Sequence, residues 1–197
     1  MQDWLVVSPP HRRGHRGRIT RQGCCKMKNV LVLCTGNSAR SILGEALINQ
    51  LGKGRLRGFS AGSDPRPAPH PAALTLLAAK GYDVSAFSSK RWDVFAGPDA
   101  PVMDIVITVC DNAAGEACPV WPGAPVSAHW GIEDPAAAAP EYQAAAFRKA
   151  HDALAERVEA MLALDLEGLA PAELRSALNA IGARSSGATA LASGGGW

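Results

Sequence analysis

The chain has 197 residues, 47% of them hydrophobic and 19% charged, with a formal net charge of +2. That is enough chain for one domain with a full core, and no apolar run is long enough to cross a membrane as a helix. Five cysteines are too few for a disulfide-stapled scaffold.

The charge is unevenly placed. Residues 1–26 hold Arg12, Arg13, Arg16, Arg18, Arg21 and Lys26 against Asp3 alone, which leaves 14 of the 20 basic and 17 of the 18 acidic residues for the rest. The basic balance therefore belongs to the N-terminal segment, and nucleic-acid binding by the domain is not expected. This segment carries Pro9-Pro10 and little apolar periodicity, so it reads as a disordered extension. Its apolar stretch Trp4–Val7 is too short for a signal-peptide core.

From residue 27 onward, strand and helix patterns alternate. Strands are predicted near 28–33, 56–60, 104–109 and 126–128, where short apolar runs end at polar or glycine-containing turns. Helices are predicted at 41–51, 70–79, roughly 91–96, and 141–164, with Gly52 and Gly81 ending the first two. The alternation predicts an α/β fold: a single three-layer domain, with a four-stranded parallel sheet and helices on both faces. Beyond residue 164, Pro171 opens and Gly182 closes a short helix whose apolar face is Leu174, Leu178 and Ile181. That face is expected to pack back on the domain. The domain is thus taken as 27–164, with a helical extension over 165–182 and a flexible Gly/Ser/Ala-rich tail over 183–197.

The first strand leads directly into Cys34-Thr-Gly-Asn-Ser-Ala-Arg40-Ser41. A short loop between a strand and a helix can aim several backbone N–H groups at one point, where the helix dipole also favours negative charge. Thr35, Gly36, Asn37, Ser38, Ala39 and Arg40 are the expected oxyanion-binding residues. Arg40 supplies a forked cation suited to a tetrahedral anion. Gly36 lets the backbone approach it, and Asn37 tolerates a left-handed conformation. Cys34 sits where a thiolate is stabilised, and Ser41 can donate its hydroxyl to that sulfur and lower its pKa. The prediction is a nucleophilic thiolate acting on phosphate, arsenate or a similar oxyanion.

The text VLVLCTGNSARS, with Phe59-Ser-Ala-Gly62, His70-Pro71 and Lys80-Gly81 in the same order and spacing, resembles the low-molecular-weight tyrosine phosphatases. It equally resembles the arsenate reductases built on the same fold. The resemblance runs from about residue 27 to about residue 164. It implies that Met27 is the natural start and that Cys24 and Cys25 take no part in the chemistry.

Cys110 and Cys118 flank a polar segment after the third strand, and His129-Trp-Gly-Ile-Glu-Asp134-Pro135 follows. This arrangement looks like the arsenate reductases. The resemblance implies that Cys34 attacks arsenate, Cys110 attacks Cys34, and Cys118 takes over the disulfide for an external reductant. Two thiols make chemical sense, because reducing arsenic needs two electrons where hydrolysis needs only water. The resemblance also makes Asp134 the general acid. Were 110–118 one helix, its ends would lie about 12 Å apart. A disulfide needs Cα atoms within about 7 Å, so a segment that changes shape with redox state is expected, eased by Asn112 and Gly115.

The sequence departs from its relatives in three places. Ala39 stands where many carry a cysteine, and Ala136 follows Asp134-Pro135 where the phosphatases carry an aromatic residue. Some relatives bind potassium at positions matching Asn37, Glu45 and Ser60, but Lys90 stands near the remaining acidic position. No metal is predicted, either there or at the widely spaced Cys110 and Cys118. Glu45 otherwise reads as an exposed helix residue. His70 and His129 are expected to be structural or exposed, His151 to lie on a solvated helix face, and Trp121 and Trp130 to pack in the core.

The expected activity is therefore reduction of arsenate to arsenite, recycled by thioredoxin, glutaredoxin or glutathione with no bound cofactor. The alternatives are a phosphatase using Cys34 and Asp134, and a non-catalytic oxyanion-binding module. Reduced thiols imply a cytoplasmic location, and a monomer is the default.

Overall fold

Residues 28–34 alternate between two buried environments, which is what a central parallel strand requires. In the computed structural model, which describes residues 26–110 and 121–184, this run is strand β1 (Lys28–Cys34). It pairs in parallel with β2 (Leu56–Gly62) on one side and β3 (Ile105–Thr108) on the other. β4 (Val126–His129) pairs in parallel with β3, so the order is β2-β1-β3-β4. The expected four-stranded parallel sheet is present. The expectations for residues 1–25, for 111–120 including Cys118, and for the tail from 185 lie outside the described residues.

The chain turns one way from β1 to β2 and then crosses to the opposite side for β3. Such a reversal opens a crevice at the carboxyl ends of the two central strands, where ligands of open α/β sheets bind. The register makes this concrete. Leu33 pairs with Thr108, and Val109 N–H donates to the Leu33 carbonyl at 2.9 Å. Cys34 and Cys110, which are 76 positions apart in sequence, therefore leave the sheet side by side.

Val30, Val32 and Cys34 face one side of β1 and Leu31 and Leu33 the other. The first side is covered by α1 (Arg40–Gly52), α2 (Pro71–Ala79), α3 (Pro140–Leu162) and α4 (Pro171–Gly182). On the second side Leu31 and Leu33 pack with Met103, Trp121 and Phe95 of the 3₁₀ turn Trp92–Phe95. That turn stands where a helix over about 91–96 was expected. Trp121 and Trp130 are both buried, as expected.

Proline opens α2, α3 and α4 at a position whose N–H has no helical partner to lose. The His70 ring accepts from Ala72 N–H at the start of α2 and stacks on Phe147 at 4.9 Å, a structural role. Gly81 takes a left-handed φ of +83° just beyond α2, as a terminating glycine should. Gly52 does not do the same for α1: the left-handed residue is Lys53, and Gly52 is the last helical one. Gly52 is required for packing, since an added Cβ would lie 2.9 Å from Leu56 Cβ.

His151 is a correction. It is not on a solvated face but only 5% exposed, on the apolar stripe of α3 with Phe147, Ala150, Leu154 and Val158. Their three- and four-residue spacing is that of one helix face, which the ring of Tyr82 meets edge-on at 6.3 Å. At the far end, Leu174, Leu178 and Ile181 of α4 are buried in the same core, and Trp130 Nε1 donates to the Leu178 carbonyl. No helix of the described residues is long and apolar enough to cross a membrane.

Candidate active site

The loop after β1 is built by turning its carbonyls outward. The Thr35, Gly36 and Ser38 carbonyls accept from the N–H groups of Asp64, Arg66 and His70 at 3.0, 2.9 and 2.8 Å. The Asn37 carbonyl accepts from Ser89 Oγ at 2.8 Å. Every carbonyl from 35 to 38 is thus engaged by a neighbouring segment. Among the described residues the N–H groups of Gly36, Ser38, Ala39 and Arg40 meet no protein acceptor. Four donors without a protein acceptor at the start of α1 can together bind an oxyanion, and we call this loop the cradle.

Gly62 makes room for this loop. It ends β2 opposite Cys34, and a Cβ there would collide with the Thr35 carbonyl and lie 2.9 Å from both Asn37 N and Cys34 O. No side chain fits between strand and loop at that distance.

At the base of the cradle, Cys34 Sγ lies 3.0 Å from Ser41 Oγ and 3.2 Å from Asn37 N–H, which donates to it. Asn37 is fully buried with a left-handed φ of 39°, as the sequence suggested. Its amide Nδ2 donates to Ser41 Oγ and Ser60 Oγ, both at 2.9 Å, while its Oδ1 accepts from Lys90 N–H at 2.8 Å. Ser60 Oγ in turn donates to Glu45 Oε2 at 2.5 Å, and Lys90 Nζ lies 3.8 Å from the same oxygen. Glu45 is thus held in a network and is not an exposed helix residue. Its burial pushes its carboxyl above the usual value, against the opposing effects of Ser60 and Lys90.

The thiol of Cys34 departs from expectation. Burial is the largest influence and raises its pKa above the ordinary thiol value. Hydrogen bonds from Ser41 and Asn37 pull it down, and the neighbouring Cys110 adds to the rise. The hydroxyl of Ser41 acts in the direction expected of it but does not outweigh desolvation.

The cradle opens into a cavity of about 460 Å³ lined by the loop, Asp64, Arg66, Cys110, Asp134 and Ala136. Cys110 is 5% exposed, with its sulfur 3.7 Å from Thr35 Oγ1. Arg40 reaches from the first turn of α1 to the loop after β4, where Nη1 donates to the Ile132 carbonyl at 2.9 Å. Its Nη2 lies 3.1 Å from Asp134 Oδ2. Asp134 also caps the 3₁₀ turn Pro135–Ala137 by accepting from Ala136 N–H. Its side chain remains 43% exposed toward the cavity mouth.

One cavity thus brings together Cys34, Thr35, Gly36, Ser38, Ala39, Arg40, Cys110 and Asp134, with Asn37 and Ser41 directly behind. Cys118 lies outside the described residues. Arg66 and Asp64 were not anticipated, because Asp64-Pro65-Arg66-Pro67 reads as an ordinary turn. A larger, mostly apolar groove of about 630 Å³ lies along α3 behind the Asp134 loop and is lined by no cysteine among the described residues.

Comparison with known proteins agrees with this geometry. The sequence model for "Low molecular weight phosphotyrosine protein phosphatase" matches residues 29–173. The arsenate reductase of Bacillus licheniformis is 32% identical over 67% of this chain and 93% of its own length. The glutaredoxin arsenate reductase of a Synechocystis species is 30% identical over 70% of this chain and 98% of its own. A solved structure of an arsenate reductase in the phosphate-binding state aligns with a TM-score of 0.54 at 30% identity, over 70% of this chain and 98% of that one. This chain therefore belongs to the low-molecular-weight phosphotyrosine protein phosphatase family.

Proposed function

We propose that this chain is an arsenate reductase that works by a thiol relay. The observation that carries the reading is the second thiol: Cys110 lines the same cavity as Cys34, at the end of the neighbouring strand. The arsenate reductases among its relatives support the same assignment.

The chemistry proceeds in three exchanges. The Cys34 thiolate attacks arsenic(V) held against the loop N–H groups and Arg40. A sulfur–arsenic bond forms and one arsenic–oxygen bond breaks, with Asp134 protonating the departing oxygen as water. The Cys110 thiolate then attacks Cys34 Sγ. A disulfide forms, the sulfur–arsenic bond breaks, and its electron pair stays on arsenic, which leaves as arsenite. Cys118 next attacks Cys110, freeing the Cys34 thiolate and forming the Cys110–Cys118 disulfide. A dithiol protein such as thioredoxin or glutaredoxin, or glutathione, supplies the two electrons that reopen it.

Arsenite release from arsenate tests this, with NADPH and either thioredoxin plus its reductase or glutathione plus glutaredoxin. Cys34→Ser, Cys110→Ser and Cys118→Ser should each abolish turnover. Loss with Cys34→Ser alone, together with intact aryl phosphate hydrolysis in the other two variants, would make the chain a phosphatase.

A further inference from the structure

We infer that Arg66 is a second anion-recognition residue, which recruits a doubly charged oxyanion to the cradle and contributes to its affinity. The inference rests on reading the cradle as an oxyanion site.

Two arginines line the cavity, and they differ in what already holds them. Both Nη atoms of Arg40 are engaged, one by the Ile132 carbonyl and the other by Asp134. An incoming anion must therefore compete with a carboxylate for that guanidinium. Arg66 makes no ion pair or side-chain hydrogen bond among the described residues. Asp64 also lines the cavity, yet it forms no ion pair with Arg66. Of the cavity's charges, the Arg66 guanidinium is the cation free to meet a ligand.

Its placement is built and not incidental. Arg66 N–H donates to the Gly36 carbonyl at 2.9 Å, which fastens its backbone to the cradle. Pro65 and Pro67 on either side restrict the backbone there. A Cβ placed on Gly36 would lie 3.4 Å from Arg66 Cγ and 3.8 Å from its Nε. The side chain thus lies against the Gly36 backbone, within ordinary contact distance of it.

The charge arithmetic gives this residue a purpose. With Arg40 partly neutralised by Asp134, a single cation poorly balances a dianion such as arsenate or phosphate near neutral pH. A second guanidinium at the mouth supplies the missing charge and forked donors. Arsenite is uncharged near neutral pH, so the product is not retained by the same pair. Because Arg66 is exposed, its contribution should weaken with added salt.

The test is calorimetric titration of the full reduced chain with inorganic phosphate, at low and at physiological ionic strength. Arg66→Gln should raise the phosphate Kd roughly tenfold at low salt, as expected for losing a charge-assisted contact. The salt dependence of the remaining affinity should be shallower than in wild type. Arg66→Lys should fall between the two. Arg175→Gln, which removes an equal charge from the exposed side of α4, should bind phosphate as wild type does. A wild-type Kd and salt slope in Arg66→Gln would overturn the inference. Absence of phosphate binding by wild type would overturn the oxyanion reading and the inference together. An Arg66 effect in a chain that releases no arsenite would refute only the reductase assignment.

Discussion

The Ser41 hydroxyl oxygen sits 3.0 Å from Cys34 Sγ and accepts from the Asn37 side-chain amide at 2.9 Å, which leaves its proton available to the sulfur when Cys34 is a thiolate. A hydroxyl held from behind in this way favours the thiolate over the thiol. Its effect opposes burial, which holds Cys34 above the ordinary thiol value.

Ser41→Ala should therefore raise the Cys34 pKa further. The thiolate is the reactive form, so the rate of Cys34 alkylation should rise with pH in both proteins. In the variant the whole profile should move to higher pH, with about a tenfold loss of rate near pH 7 for each unit moved. Ultraviolet thiolate titration against Cys34→Ser gives the same information. Superimposable profiles would show that Ser41 does not tune the thiol.

Gly62→Ala tests the room between β2 and the cradle. The methyl group meets the backbone of Thr35, Asn37 and Cys34, which cannot move aside as a side chain could. A loss of about 1–3 kcal/mol in stability is expected from overpacking, with weakened phosphate binding as the loop is displaced. Chemical denaturation and phosphate titration of the same sample read both. Unchanged phosphate affinity would mean that the loop does not depend on Gly62.

Glu45 connects the network to pH. Its folded-state pKa is raised by burial, so the folded protein takes up this proton more readily than the unfolded chain does. Its contribution to stability is full below the unfolded value and is lost as pH rises through the folded one. Glu45→Gln has no such proton. Wild type should therefore gain stability relative to Glu45→Gln as pH falls from 7 toward 4, measured as the difference in unfolding free energy. A difference independent of pH would remove Glu45 from the titrating groups.

Much of this molecule can be read in its sequence, because the relevant information is local. The Val30–Leu33 run, buried on both faces, identifies a central strand. The small residues from Cys34 to Ser41, followed by a helical pattern, specify a loop whose N–H groups can converge. The left-handed Asn37 and the core-facing Leu174, Leu178 and Ile181 follow from the same local rules. His151 is legible too, through its helical spacing from Phe147 and Leu154, although the polarity of a lone histidine points to a solvated face.

What the sequence could not decide depends on neighbours far apart in the chain. Strand order β2-β1-β3-β4 places Cys110 beside Cys34, and no local pattern encodes which strands become adjacent. The engagement of Arg40 by Asp134, the freedom of Arg66, and the burial of Glu45 against Lys90 arise only when loops from four strands meet. The Cys34 pKa is the clearest case. Its hydrogen-bond partners are written into the loop, but burial is set by the surrounding core and is the larger effect. Residue types and local spacing determined the chemistry available to this chain, while long-range packing decided the distances, the desolvation and the pairing of charges that govern it.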